Sequence, residues 1–155
     1  MSGQNTDNAP AGIDIIKSAL ESGVNVATIG ETMDFKLVSA EVGKTEFVGH
    51  PGKKHLNPQG IVHGGYAATL LDSAVGIAVF TSLPPGKTFT TLELKVNYIR
   101  ALPQDGSKVR ATGEAIHVGR STATAEGRIL DEQGRLLAHA TTTCLILDFP
   151  APRGT

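Results

Sequence analysis

Between Lys54 and Lys87 the sequence holds one formally charged side chain, Asp72, set inside the apolar run Tyr66–Leu83. The run is too long for a buried strand and is rich in Ala and Leu, which predicts a helix apolar on nearly all sides. Such a helix has to be wrapped by the rest of the chain. Asp is a weak helix former in an interior position, and a carboxylate in apolar surroundings is costly unless it finds partners. Asp72 is therefore tied to neighbours such as Thr69 or Ser73, or lies on a helix face wetter than the apolar pattern implies, or is placed there for chemistry.

The flanking sequence supplies the wrapping. Pro10–Ser22 carries Ile13, Ile16, Ala19 and Leu20 at helical spacing, with Pro10 near its start and Gly23 just past its end, predicting a short amphipathic helix. Phe35–Val42 and Thr45–Val48, split by Gly43-Lys44, alternate apolar with polar as two strands of a hairpin. After Pro84-Pro85-Gly86, the segments Thr88–Arg100, Ser107–Val118, Ser121–Leu130 and Leu136–Leu147 read as four strands. Their short connections, Pro103–Gly106, Gly119-Arg120 and Asp131–Gly134, predict a meander of antiparallel neighbours. The expected class is α+β, a curved antiparallel sheet around one long helix, with a single domain over 11–149 and loose tails at 1–10 and 150–155. An open sheet has edges, and covering an edge with a second copy predicts a homodimer.

Composition removes several functions. The 155 residues carry 14 Lys+Arg against 15 Asp+Glu, with 5% aromatic residues and no Trp, which leaves neither a basic groove nor stacking platforms for nucleic acid. The polar start Met1–Pro10 lacks the pattern of a secretory signal, so a cytoplasmic protein is expected, and Ala67–Phe80 falls short of the ~18 residues of a membrane span. The lone Cys144 cannot form an intramolecular disulfide and reads as a small buried hydrophobe. The histidines at 50, 55, 63, 117 and 139 form no metal-binding pattern, and no cofactor is expected. Gly43-Lys44-Thr45 and Gly86-Lys87-Thr88 lack the upstream glycine of a phosphate loop, since Val38 and Thr81 stand in its place.

His63-Gly64-Gly65 lies where the chain enters the long helix. The first N–H groups of a helix have no internal partner, and two glycines let a carbonyl oxygen approach them. The plainer alternative is a tight turn in which His63 caps the helix or packs in the core. Asp72 lies eight residues beyond Gly64, about 12 Å along the axis and about 80° around it, so one small acyl group cannot touch both. If both act on one carbonyl, they come from two antiparallel copies of the helix. Gly76, one turn after Asp72, fits close packing or the approach of a ligand. Ala67, Ala68 and Ala74 would leave room near the helix.

The stretch Asn57-Pro-Gln-Gly-Ile-Val-His-Gly-Gly-Tyr-Ala-Ala-Thr-Leu-Leu-Asp72-Ser-Ala-Val-Gly76 resembles the signature of the hotdog-fold acyl-CoA thioesterases of the phenylacetate-pathway and 4-hydroxybenzoyl-CoA type. Leu94–Ala101 and Ile116–Thr122 resemble the family's central strand and following turn. The resemblance implies an acyl-CoA substrate, a homodimer with a continuous sheet, and dimers that pair into tetramers. It implies that Asp72 activates water or attacks the thioester while the Gly64 N–H of the opposite subunit polarises the carbonyl. Asn57 would hold water or thioester, His63 would place the loop, and Thr91 would orient water. Gly65, Arg100, Arg120, Ser121 and Thr122 would contact the substrate, the last four at the CoA phosphates. Some members carry Glu on this helix, with Thr at the position of Gly76; this chain sides with the Asp type. The competing reading is a hotdog domain that binds acyl-CoA without turning it over, and a hotdog dehydratase ranks below both.

Overall fold

The apolar central run forms a helix, and strands wrap it. The computed structural model describes residues 9–23 and 28–149; the expected tails at 1–10 and 150–155 lie outside the described residues apart from Ala9 and Pro10. In chain order the elements are α1 (Gly12–Ser22), α2 (Thr28–Met33), β1 (Phe35–Glu41), β2 (Lys44–Gly49), a 3-10 turn (Lys53–His55), α3 (Gly64–Thr81), β3 (Lys87–Tyr98), β4 (Val109–Val118), β5 (Thr122–Leu130) and β6 (Leu136–Asp148).

The six strands form one antiparallel sheet in the order β1-β2-β4-β5-β6-β3. The hairpins β1–β2, β4–β5 and β5–β6 join neighbours as expected. The expected β3–β4 neighbours do not form: β4 pairs with β2, and β3 crosses to the far edge beside β6. The turn residues Pro103–Gly106 lie inside a longer connection that runs along the ends of the strands. At its start Ile99 and Arg100 donate to Leu137 O at 2.8 and 3.0 Å, next to β6, and near its end Gly106 donates to Pro51 O at 3.0 Å, next to β2. The local turn chemistry was real, but it bends a crossing rather than closing a hairpin.

Helix α3 packs against all six strands. Leu70, Leu71, Ala74, Val75 and Val79 are fully buried in one core with Val109, Ala111, Ala123, Ala125, Ile129 and Ala138. Gly113 and Gly127, paired across β4 and β5, let the helix come this close. A Cβ at Gly113 would sit 2.2 Å from the Ala74 carbonyl oxygen, and one at Gly127 would sit 2.8 Å from Val75 Cγ1. The same Ala74 oxygen accepts a hydrogen bond of 2.7 Å from the Thr45 hydroxyl. By length and composition α3 could cross a membrane, but here the sheet buries most of it.

Two expectations are corrected here. Helix α3 is not covered all round, because Gly65, Ala68, Thr69, Asp72, Ser73 and Ile77 line a partly open face. Ala67 and Ala74 leave no room beside the helix, since the sheet covers both completely. Among the described residues, strand β3 has β6 on one side and no partner along its other edge, with Leu92 58% and Tyr98 55% exposed.

Candidate functional site

The site is built on three segments: the loop before α3, the open face of α3, and the edge strand β3. The loop is closed by a bridge between Leu56 and Val62 and by an Asn57 N–H bond to Ile61 O of 2.8 Å. Asn57 Oδ1 accepts from the N–H groups of Gln59 at 3.0 Å and Ile61 at 3.2 Å. The side-chain oxygen is thus spent on shaping the loop, and the Asn57 NH2 is the part left to donate to a ligand. Its half-buried position agrees with that use.

His63 caps α3: its Nδ1 accepts from Gly65 N–H at 2.8 Å. A Cβ on residue 65 would lie 2.9 Å from that nitrogen, so Gly65 is what lets the ring cap the helix. The capping alternative is therefore the role His63 fills in one chain, with its proton on Nε2. The N–H of Gly64 has no acceptor among the described residues and sits at the positive end of the α3 dipole. Over Gly64 lies Tyr98, whose hydroxyl donates to Gly64 O at 3.1 Å. A Cβ on Gly64 would meet the Tyr98 ring at 3.2 Å.

Asp72 is half-buried on the open face of α3, and Thr91 Oγ1 donates to its Oδ1 at 3.0 Å. The alternative in which helix neighbours hold it does not form, because Thr69 and Ser73 donate to the helix carbonyls of Gly65 and Thr69 at 2.8 and 2.9 Å. Thr91 reaches the carboxylate from a β-bulge, where pairing steps from Thr91–Cys144 to Glu93–Thr143 and Leu92 is the extra residue. Bulges of this kind re-aim a side chain. Beside Thr91, Cys144 is fully buried; burial pushes its thiol up, hydrogen bonds to Thr142 and Thr91 oppose this, and the nearby Asp72 adds to the rise. That is the opposite of an activated nucleophile. Gly76 gives close packing, since a Cβ there would lie 2.8 Å from the ring of Phe89.

The basic residues are not gathered in one place. Arg100 follows β3 and donates from Nη1 to Leu136 O at 2.7 Å. Arg120, Ser121 and Thr122 are exposed around the β4–β5 turn. Thr122 faces Leu145 while Leu130 faces Leu136, so the length of β5, about 26 Å, separates the two groups. Thr91 and Asp72 lie toward the Arg120 end, level with Cys144; Gly64 and Tyr98 lie toward the Arg100 end, level with Ala138. One chain therefore carries two half-sets. Cavities of about 380 and 400 Å³ open elsewhere, one lined by Glu41, Lys44, Glu114 and Arg128, the other by Arg100, Lys108 and Asp131. Neither is lined by Asp72 or Gly64, both of which are half-buried.

Sequence reasoning missed Tyr98 and the bulge at Leu92. No local pattern marks either, because both depend on which strand lies beside α3.

Comparison with known proteins gives a consistent picture. The profile of the thioesterase superfamily matches residues 59–138. The chain is 33% identical to the 1,4-dihydroxy-2-naphthoyl-CoA hydrolase of Listeria monocytogenes, over 75% of this chain and 93% of that one. Among solved structures, smu.793 of Streptococcus mutans, bound to acetyl CoA, superposes with a TM-score of 0.68 at 27% identity, over 76% of this chain and 92% of that one. A mutant of the phenylacetic acid degradation protein PaaI of Thermus thermophilus gives 0.69 at 28% identity, over 77% and 98%.

Proposed function

Because the chain belongs to the thioesterase superfamily, has the hotdog fold and is a thioester hydrolase, we propose that it cleaves the thioester of an aromatic or medium-chain acyl-CoA at a site shared by two copies. The naphthoyl-CoA named for the Listeria relative favours an aromatic acyl group. The observation that carries the reading is the Thr91–Asp72 pair on an uncovered helix face beside an unpaired strand edge.

Pairing of β3 with β3 of a second copy about a two-fold axis covers that edge and lays the two α3 helices antiparallel. Asp72 of one copy then faces Asn57, Gly64 and Gly65 of the other. The Arg120 end of one copy likewise meets the Arg100 end of the other, which gathers Arg100, Arg120, Ser121 and Thr122 around the CoA phosphates. Dimers of this kind pair further into tetramers.

The thioester carbonyl oxygen lies against the Gly64 N–H, which stabilises the negative charge that develops on it. Asp72, oriented by Thr91, takes a proton from water as it attacks the carbonyl carbon, or attacks that carbon itself; the NH2 of Asn57 steadies the water or thioester. Collapse of the tetrahedral intermediate breaks the C–S bond and releases the thiolate of CoA, leaving the free acid in the first route; in the second it leaves an anhydride on Asp72, which water then cleaves to the acid and the free carboxylate.

The test is free-thiol release from a panel of aryl- and alkyl-CoA thioesters by wild type and Asp72→Asn at matched folding and oligomeric state. The expected result is turnover by wild type and a loss in kcat of at least ~10²-fold in the variant. Tight acyl-CoA binding without thiol release, or an Asn variant as fast as wild type, would overturn it.

A further inference from the structure

The loop that presents Asn57 and Gly64 is itself held by His55, whose hydrogen bonds go to Gly52 and His63. His55 ends the 3-10 turn and is 8% exposed. Its N–H donates to Gly52 O at 2.9 Å, and its carbonyl accepts from His63 N–H at 2.8 Å. Its ring takes up the same turn from the other side, because Nδ1 accepts from Gly52 N–H at 3.0 Å. The ring also lies against Tyr66, with centroids 4.7 Å apart, and Tyr66 is buried in the first turn of α3. One side chain thus joins the turn before the loop to the helix after it. Its second nitrogen, Nε2, is buried with no partner among the described residues.

A nitrogen that accepts from an amide carries no proton, so the ring is the Nε2–H tautomer. That choice leaves the buried Nε2–H unsatisfied, a cost that would vanish if the ring turned to another partner. The Gly52 bond and the Tyr66 contact hold it in place.

We propose that His55 is a positioning residue for the hydrolysis: with Nδ1 unprotonated it fixes the 52–63 segment, and through His63 it fixes the start of α3 that presents the Gly64 N–H. The proposal rests on the reaction assigned above. Taking up a second proton would turn Nδ1 into a donor facing the Gly52 N–H, and the turn would have to open. The charged and titratable groups around the ring are Lys54 on its own turn, Asp34 before β1, which pairs with Lys54 at 3.5 Å, and Tyr66 on α3. Burial first, then Lys54, hold the ring below the ordinary imidazole value, and Asp34 opposes them. The ring therefore stays neutral at pH 7. The support it gives is complete above about 6.5, the value of a free imidazole, and is lost as pH falls through the lower folded value.

Two variants separate the acceptor from the packing. In His55→Asn the side-chain oxygen stands where Nδ1 stands and does not titrate; in His55→Phe the ring remains without an acceptor. The expected loss in kcat for His55→Phe is on the order of ten- to a hundredfold, with a smaller change in KM, as for a displaced catalytic group. His55→Asn should restore kcat to within about threefold of wild type. Amide hydrogen exchange should speed up at Gly52, His63 and Gly64 in the Phe variant only, and ring-nitrogen chemical shifts of wild type should report Nε2–H. A proton on Nδ1, an Asn variant as slow as Phe, or a Phe variant with wild-type kcat and exchange would overturn the proposal. Exchange and tautomer need no turnover, so they judge His55 even if the thiol-release assay rejects the hydrolase reading.

Discussion

Removal of one hydroxyl tests how the carboxylate is held. Thr91→Val keeps the shape of the side chain and deletes the donor that lies 3.0 Å from Asp72 Oδ1. Hydrogen bonds to charged groups contribute about 1.5–3 kcal/mol, and this pair is half-open to solvent, so water replaces part of the bond and the lower end applies. At about 1.4 kcal/mol per decade, 1.5 kcal/mol corresponds to a loss of about tenfold in kcat. Stability should move little, because Val suits a strand and the site is only half-buried. The assay is steady-state thiol release, with urea unfolding to confirm that the midpoint is kept. If Thr91 acts through Asp72, the two effects cannot add: Thr91→Val placed on top of Asp72→Asn should cost almost nothing more. A tenfold cost in both backgrounds, or no cost in either, would refute the idea that this hydroxyl orients this carboxylate.

Gly113→Ala should destabilise the fold by about 2–4 kcal/mol, from overpacking against Ala74 O and strain on the Thr45 bond to the same oxygen, read as a lower urea midpoint. Tyr98→Phe, which loses the bond to Gly64 O, should lower kcat by about three- to tenfold in thiol release with the unfolding midpoint nearly unchanged. Asp72→Asn and Asn57→Ala chains, each inactive alone, should recover about a quarter of wild-type activity when unfolded and refolded together, because half the dimers are mixed and each mixed dimer has one intact site. No recovery at all would place both groups in the same chain's site.

Much of this is legible in the amino-acid sequence. The solitary charge in an apolar run marked both the central helix and the residue to watch, because burial makes a carboxylate expensive wherever it stands. The spacing of Gly64 and Asp72 showed, through helix geometry alone, that the two cannot reach one small acyl group from the same helix, so a shared carbonyl would need two copies. What stayed hidden was long-range. The turn residues at 103–106 could not reveal that their connection crosses the sheet, and with β3 misplaced nothing set Tyr98 against Gly64. The plainer alternative, in which Thr69 or Ser73 holds Asp72, does not form: both turn back onto the helix carbonyls, and the partner comes from a bulge 19 residues on. Thr91 did enter as a candidate, through family resemblance rather than through pairing. His55 stood among histidines judged only as metal ligands; its value lies in a single amide contact that spacing does not encode.

The crossing between β3 and β4, which spans β5 and β6, also sets an order of events during synthesis. Strands β4 and β5 can settle on β2 and α3 as they emerge, but β3 has no neighbour within the sheet until β6 follows, and Lys87 waits for Asp148. Until then a strand of 12 residues stays unpaired on both edges. Pairings across such separations form slowly, and unpaired edges seek other chains in the meantime. Asp72 is thus in place on its helix well before the hydroxyl that orients it, and a chain halted before β6 would hold the carboxylate without Thr91.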